Sequence, residues 1–133
     1  MQVMSIARTI GILLGMRREP SLEGVWERRG DAFAGCRVEV APAAAGLRGI
    51  IVHVPDRMLE FGWLTGDAKW TSILRAGPCL YRLDDLHKVV DRESGKVSAF
   101  YRSATLRLAD DDLAELRTLD RPDRAQEWRR ITA

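Results

Sequence analysis

From Leu22 onward the apolar residues of this chain recur at every second position, and turn residues interrupt them at short, roughly even intervals. A strand places alternate side chains on opposite faces, so this period argues for half-buried β-strands. Cys36, Val38 and Val40 alternate with Arg37, Glu39 and Ala41, the pattern of a strand with one wet face. The spacing predicts strands over 24–28, 36–41, Leu47–Val54, Met58–Leu64, Ala68–Leu74, Lys96–Leu108, Leu113–Leu119 and Glu127–Ile131. Between Gly77-Pro78 and Val90 it predicts two short strands, Cys79–Leu83 and Leu86–Val90, or one strand bent at Asp84-Asp85. Thr65-Gly66-Asp67, Arg92-Glu93-Ser94-Gly95 and Asp110-Asp111-Asp112 supply turns. Eight to ten short antiparallel strands imply an all-β up-and-down barrel or sandwich. Strands and helices do not alternate, which argues against a parallel sheet.

Ahead of this region the period is different. Val3, Ile6, Ala7, Ile10, Leu13 and Leu14 fall on one face of a helix over 2–16, which Gly15, Arg17-Arg18 and Pro20 would end. The expected organisation is one domain over 1–133, an N-terminal helix followed by a β-barrel over 22–133. The helix is expected as a lid on the barrel, with an interfacial anchor or a dimer contact as alternatives. Arg8 interrupts the apolar run, and no small-residue cleavage site follows it. This disfavours secretion and favours a cytoplasmic location. No stretch approaches the roughly 20 apolar residues of a membrane span.

The first and last strands carry a recognisable pattern. Gly24-Val25-Trp26 opens the first, and Glu127-Trp128-Arg129-Arg130 closes the last. This resembles the calycin superfamily, the lipocalin-like barrels, in which a Gly-x-Trp starts the first strand and a late arginine packs across that tryptophan. The resemblance implies an antiparallel lipocalin-like barrel, with Arg129 or Arg130 sealing one end against Trp26. A guanidinium can lie flat on an indole and donate to nearby carbonyls, which makes the seal physically reasonable.

Charge excludes some partners. Twenty-one Lys and Arg nearly balance 19 Asp and Glu, for a net charge of +2, so no strong field favours nucleic acid. Cys36 and Cys79 form no CxxC or Cys/His cluster and read as reduced thiols, with no metal site. The triple aspartate lacks the glycine and terminal glutamate of a calcium loop. It reads as a solvated turn, as does Asp84-Asp85. His53 and His87 have no nucleophile context, Gly-x-Ser-x-Gly and Gly-x-Gly-x-x-Gly are absent, and no catalytic residue or cofactor is assigned.

The middle strands offer the better lead. Trp63, Trp70, Tyr81 and Phe100 are candidates to line a ligand cavity, since barrels of about eight strands can hold one small molecule. Alternation puts Arg102 on the apolar face with Phe100, Ala104, Leu106 and Leu108. An inward arginine needs a partner: a ligand carboxylate, Glu60 or an aspartate of the protein. A bulge after Tyr101 would instead turn it outward. The leading expectation is non-enzymatic binding of a small, mostly apolar or carboxylate-bearing ligand. The alternatives are an interaction or homodimerisation module with a filled barrel, and an enzyme that uses the cavity.

Overall fold

The computed structural model describes residues 19–132. The expected helix over 2–16 lies outside the described residues. Eight strands form one closed antiparallel barrel, each paired with its neighbours in chain order. They are β1 (Gly24–Arg29), β2 (Arg37–Ala43), β3 (Gly46–His53), β4 (Ala68–Gly77), β5 (Leu80–Val90), β6 (Val97–Asp110), β7 (Leu113–Thr118) and β8 (Gln126–Thr132). β1 pairs with both β2 and β8, so no strand edge is left open.

One expected strand is corrected, and one open choice is decided. Met58–Leu64 is not a strand. Asp56–Leu59 forms a single helical turn, α1, and the chain then loops to β4. Pro55 ends the β3 ladder by removing a donor, and β3 already pairs with β4, so the closed sheet has no place for another strand. Gly62 leaves this loop at φ +83, beside Val97. The chain between Leu80 and Val90 is one strand, paired residue for residue with β6 from Leu80↔Arg107 to Val90↔Val97. Asp84-Asp85 is therefore strand and not a solvated turn.

Eight strands give an interior just wide enough for side chains to fill. Here Trp26, Trp70 and Trp128 are all fully buried. Trp70 meets Trp128 edge-on, with ring centroids 4.8 Å apart at 72°, an arrangement the ring quadrupoles favour. Val38, Val40, Ile51, Leu106 and Leu116 fill the space around them. Gly49 makes room for this packing. A Cβ there would lie 2.9 Å from both Trp70 and Val38.

The two ends of the barrel differ. At the end where β1 begins, Arg130 lies over the Trp26 ring, 4.4 Å from its centroid. Its guanidinium donates to the carbonyls of Ser21, Glu23 and Asp111. Trp26 donates its own indole N–H to Leu22 O at 2.9 Å. Of the two candidate arginines, Arg130 is the one on Trp26; Arg129 points outward and pairs with Glu127. Glu19 adds a clamp at this end, accepting from Arg75 and from the Cys79 N–H. The connections β1–β2, β3–β4, β5–β6 and β7–β8 all lie at the opposite end, which forms the mouth.

Overpacking a filled core costs about 1–3 kcal/mol. Gly49→Ala should therefore lower the melting temperature by several degrees in a calorimetric scan. An unchanged melting temperature would mean that Trp70 is free to move.

Candidate functional site

The inward positions of β5 and β6 change character along the barrel. On β6, Leu108, Leu106 and Ala104 are buried, while Arg102 and Phe100, two and four residues nearer the mouth, are partly exposed. On β5, Tyr81 and Leu83 give way to Asp85 and His87. The register sets Asp85 opposite Arg102 and His87 opposite Phe100. Strand alternation thus brings these four side chains together toward one end of the barrel.

A cleft of about 670 Å³ opens there. His87, Phe100 and Arg102 line it from β5 and β6, Arg28 from β1, and Arg121 and Arg124 from the β7–β8 connection. Asp31 and Asp123 complete its charged lining, so four arginines face two carboxylates; Lys88 also borders the cleft, but its ammonium is turned to Asp67 at 2.7 Å and to Gly62 O at 2.8 Å. Arg28 pairs with Asp31 at 2.8 Å, and Arg102 pairs with Asp120. Among the described residues, Arg121 and Arg124 form no ion pair. Phe100 provides the apolar wall. It stacks on His87 with centroids 5.8 Å apart at 19°, and the Arg102 guanidinium lies 5.2 Å from its centroid.

Below the cleft lies a buried ionic group. Asp85 is fully buried and accepts from Lys69 Nζ at 2.7 Å. The same ammonium donates to Leu86 O at 2.8 Å and sits 4.9 Å from the Trp63 ring centroid. Burial pushes the Asp85 carboxyl up, but the Lys69 charge and the hydrogen bonds around it outweigh that and hold the group below the usual carboxylate range. The second carboxylate oxygen, Oδ2, lies 3.0 Å from His87 Nε2. The contact falls short of hydrogen-bond geometry, and neither atom has another partner among the described residues.

The residues expected to bind a ligand fall in three places. Phe100 and Arg102 line the cleft. Arg102 faces inward, as its alternation requires, and its carboxylate is Asp120. Trp70 and Tyr81 are packed in the interior, where burial raises the Tyr81 phenol above its usual range. Trp63 is buried within the β3–β4 connection, with Lys69 on it and Lys88 5.6 Å from its centroid. His53 is exposed at the end of β3. Cys36 is fully buried, and burial pushes its thiol up to about 11, so it is no nucleophile at neutral pH.

Sequence reasoning missed the Lys69–Asp85 pair and the arginines of the rim. The signal for Asp85 was available: it continues the inward series Tyr81, Leu83 once the strand is read without a break. Arg121 and Arg124 carried no signal, since they reach the cleft from a loop. No helix among the described residues is long and apolar enough to cross a membrane. Set against family models, curated proteins and solved structures, the chain finds no match.

Removing one partner of a buried ion pair costs about 3–5 kcal/mol, because the other charge is left stranded. Lys69→Met should lose that much by urea unfolding at pH 7, and Lys69→Met with Asp85→Leu should recover most of it. The pH dependence has a definite sign. A carboxyl whose folded pKa is depressed contributes fully above about pH 4 and loses that contribution as pH falls further. The stability gap between wild type and Lys69→Met should therefore narrow below about pH 4.

Proposed function

We propose that this protein is a lipocalin-like binding barrel that takes a small carboxylate-bearing ligand at its mouth, without catalysing a reaction on it. The observation that carries this reading is the cleft itself, where four arginines meet two carboxylates around the apolar face of Phe100. Arginine suits the role because its planar fork grips a carboxylate with two parallel hydrogen bonds. Arg102 is the anchor, with Arg121 and Arg124 closing from the loop side. The interior below holds tryptophan, so the ligand sits in the rim rather than deep in the barrel. The calycin likeness supports the same reading through the barrel, the Gly24-Val25-Trp26 start and the Arg130–Trp26 stack.

The interaction-module reading has its own support. Leu59, Phe61 and Leu64 are exposed together on the β3–β4 connection. A dimer seen by sedimentation, and lost on Phe61→Ser, would favour it.

Calorimetric titration with benzoate and with decanoate at low salt tests the leading proposal. Binding that weakens with added salt, and by about tenfold or more in Arg102→Ala, is the expected result. If neither acid binds at millimolar concentration, the proposal fails.

A further inference from the structure

We infer that His87 selects the ligand: the Asp85–His87 pair presents a hydrogen-bond acceptor to the cleft, so the preferred ligand is a carboxylate that also carries a hydroxyl or N–H donor. This deepens the anion-binding reading above and rests on it.

The inference starts from two atoms. His87 Nε2 and Asp85 Oδ2 are buried and 3.0 Å apart, short of hydrogen-bond geometry, and neither has another partner among the described residues. Lys69 holds Asp85 as a carboxylate from its other oxygen, at 2.7 Å. Two lone pairs facing each other at 3.0 Å would repel, so the hydrogen of a neutral His87 belongs on Nε2. A neutral imidazole has only one N–H, which leaves Nδ1 as an acceptor. The ring keeps 28% of its side chain exposed and lines the cleft, while its Nε2 edge is buried. Nδ1 makes no hydrogen bond to a described residue, nor is it among the buried unpartnered atoms. Nδ1 is therefore a neutral acceptor on the Phe100 side of a cleft whose other acceptors include the Asp31 and Asp123 carboxylates.

That combination has a consequence for recognition. Arginine and lysine side chains only donate, and a plain carboxylate only accepts. A carboxylate with a hydroxyl satisfies both the arginines and Nδ1. A site that offers a partner to a hydroxyl rejects the analogue lacking it, because its own polar group is left unpaired. The groups around His87 are Asp85 with Lys69 beneath it, Lys88 on its own strand, Arg102 on β6, Arg28 and Asp31 from β1 and its loop, and Arg121, Asp123 and Arg124 from the β7–β8 connection.

The first test needs no ligand. Nitrogen chemical shifts of the His87 ring, measured by NMR at pH 8 on the intact chain, should report hydrogen on Nε2. Hydrogen on Nδ1 would overturn the inference at once. The second test compares meta- and para-hydroxybenzoate with benzoate and the matching methoxybenzoates by calorimetric titration. At least one hydroxy acid should bind about three- to tenfold tighter than its methoxy partner at pH 8, the worth of one neutral hydrogen bond. That preference should be absent in His87→Phe. Equal affinities for hydroxy and methoxy acids at pH 8 would overturn the selectivity while leaving the anion site standing. No binding of any benzoate would overturn both.

Discussion

The contact between Arg130 and Trp26 decides what kind of sheet this is. Eight antiparallel strands could stop as an open sheet with two bare edges. Here Trp26 and Arg130 are register partners across the β1–β8 seam, and the guanidinium lies on the indole at 4.4 Å. The same group caps the carbonyls of Ser21 and Glu23 before β1 and of Asp111 after β6. One side chain thus ties the chain's first strand, its last strand and a distant turn. A cation–π contact of this kind is worth about 0.5–2 kcal/mol. Closure also makes the interior possible, because Trp70 and Trp128 can meet only when β4 and β8 curve toward each other.

Much of this could be read in the sequence because a strand's period is strict. Once Phe100, Ala104, Leu106 and Leu108 are seen to share a face, Arg102 must share it, and it does. The Gly24-Val25-Trp26 start and the Trp128–Arg130 end identified the seam before any pairing was known. The failures occurred where local pattern and global topology disagree. Leu59, Phe61 and Trp63 alternate like a strand, but Pro55 and the closed β3–β4 pairing leave that segment outside the sheet. Asp84-Asp85 looks like a turn because paired aspartates usually are. It is strand because Lys69, 16 residues away, compensates the buried charge. Neither outcome could be deduced from the neighbouring residues alone.

The rim was least legible. Arg121 and Arg124 belong to a connection whose sequence says only that it turns. Their place over the mouth follows from how β7 enters β8, a tertiary fact. Arg28 is similar. It reads as an ordinary solvent-facing end of a strand, yet it shares the inward face with Trp26, and its guanidinium lies 5.4 Å from the Phe33 ring and 5.8 Å from Trp128.

The barrel therefore carries a gradient of polarity along its axis, and that gradient follows from strand register alone. On β6 the inward series runs from Leu108 through Leu106 and Ala104 to Arg102; on β5 it runs from Tyr81 through Leu83 to Asp85 and His87. Charge this close to a tryptophan core is tolerable only where each group has a partner or reaches water. Asp85 meets the condition through Lys69, and Arg102 through Asp120 at the open surface. Because the tryptophans fill the interior, the rim is where the fold can place a ligand. Because Arg102 and His87 are alternate residues of two paired strands, they are held by the backbone ladder, while Arg121 and Arg124 reach the rim from the β7–β8 connection. A site fixed in this way can discriminate by hydrogen-bond polarity as well as by charge.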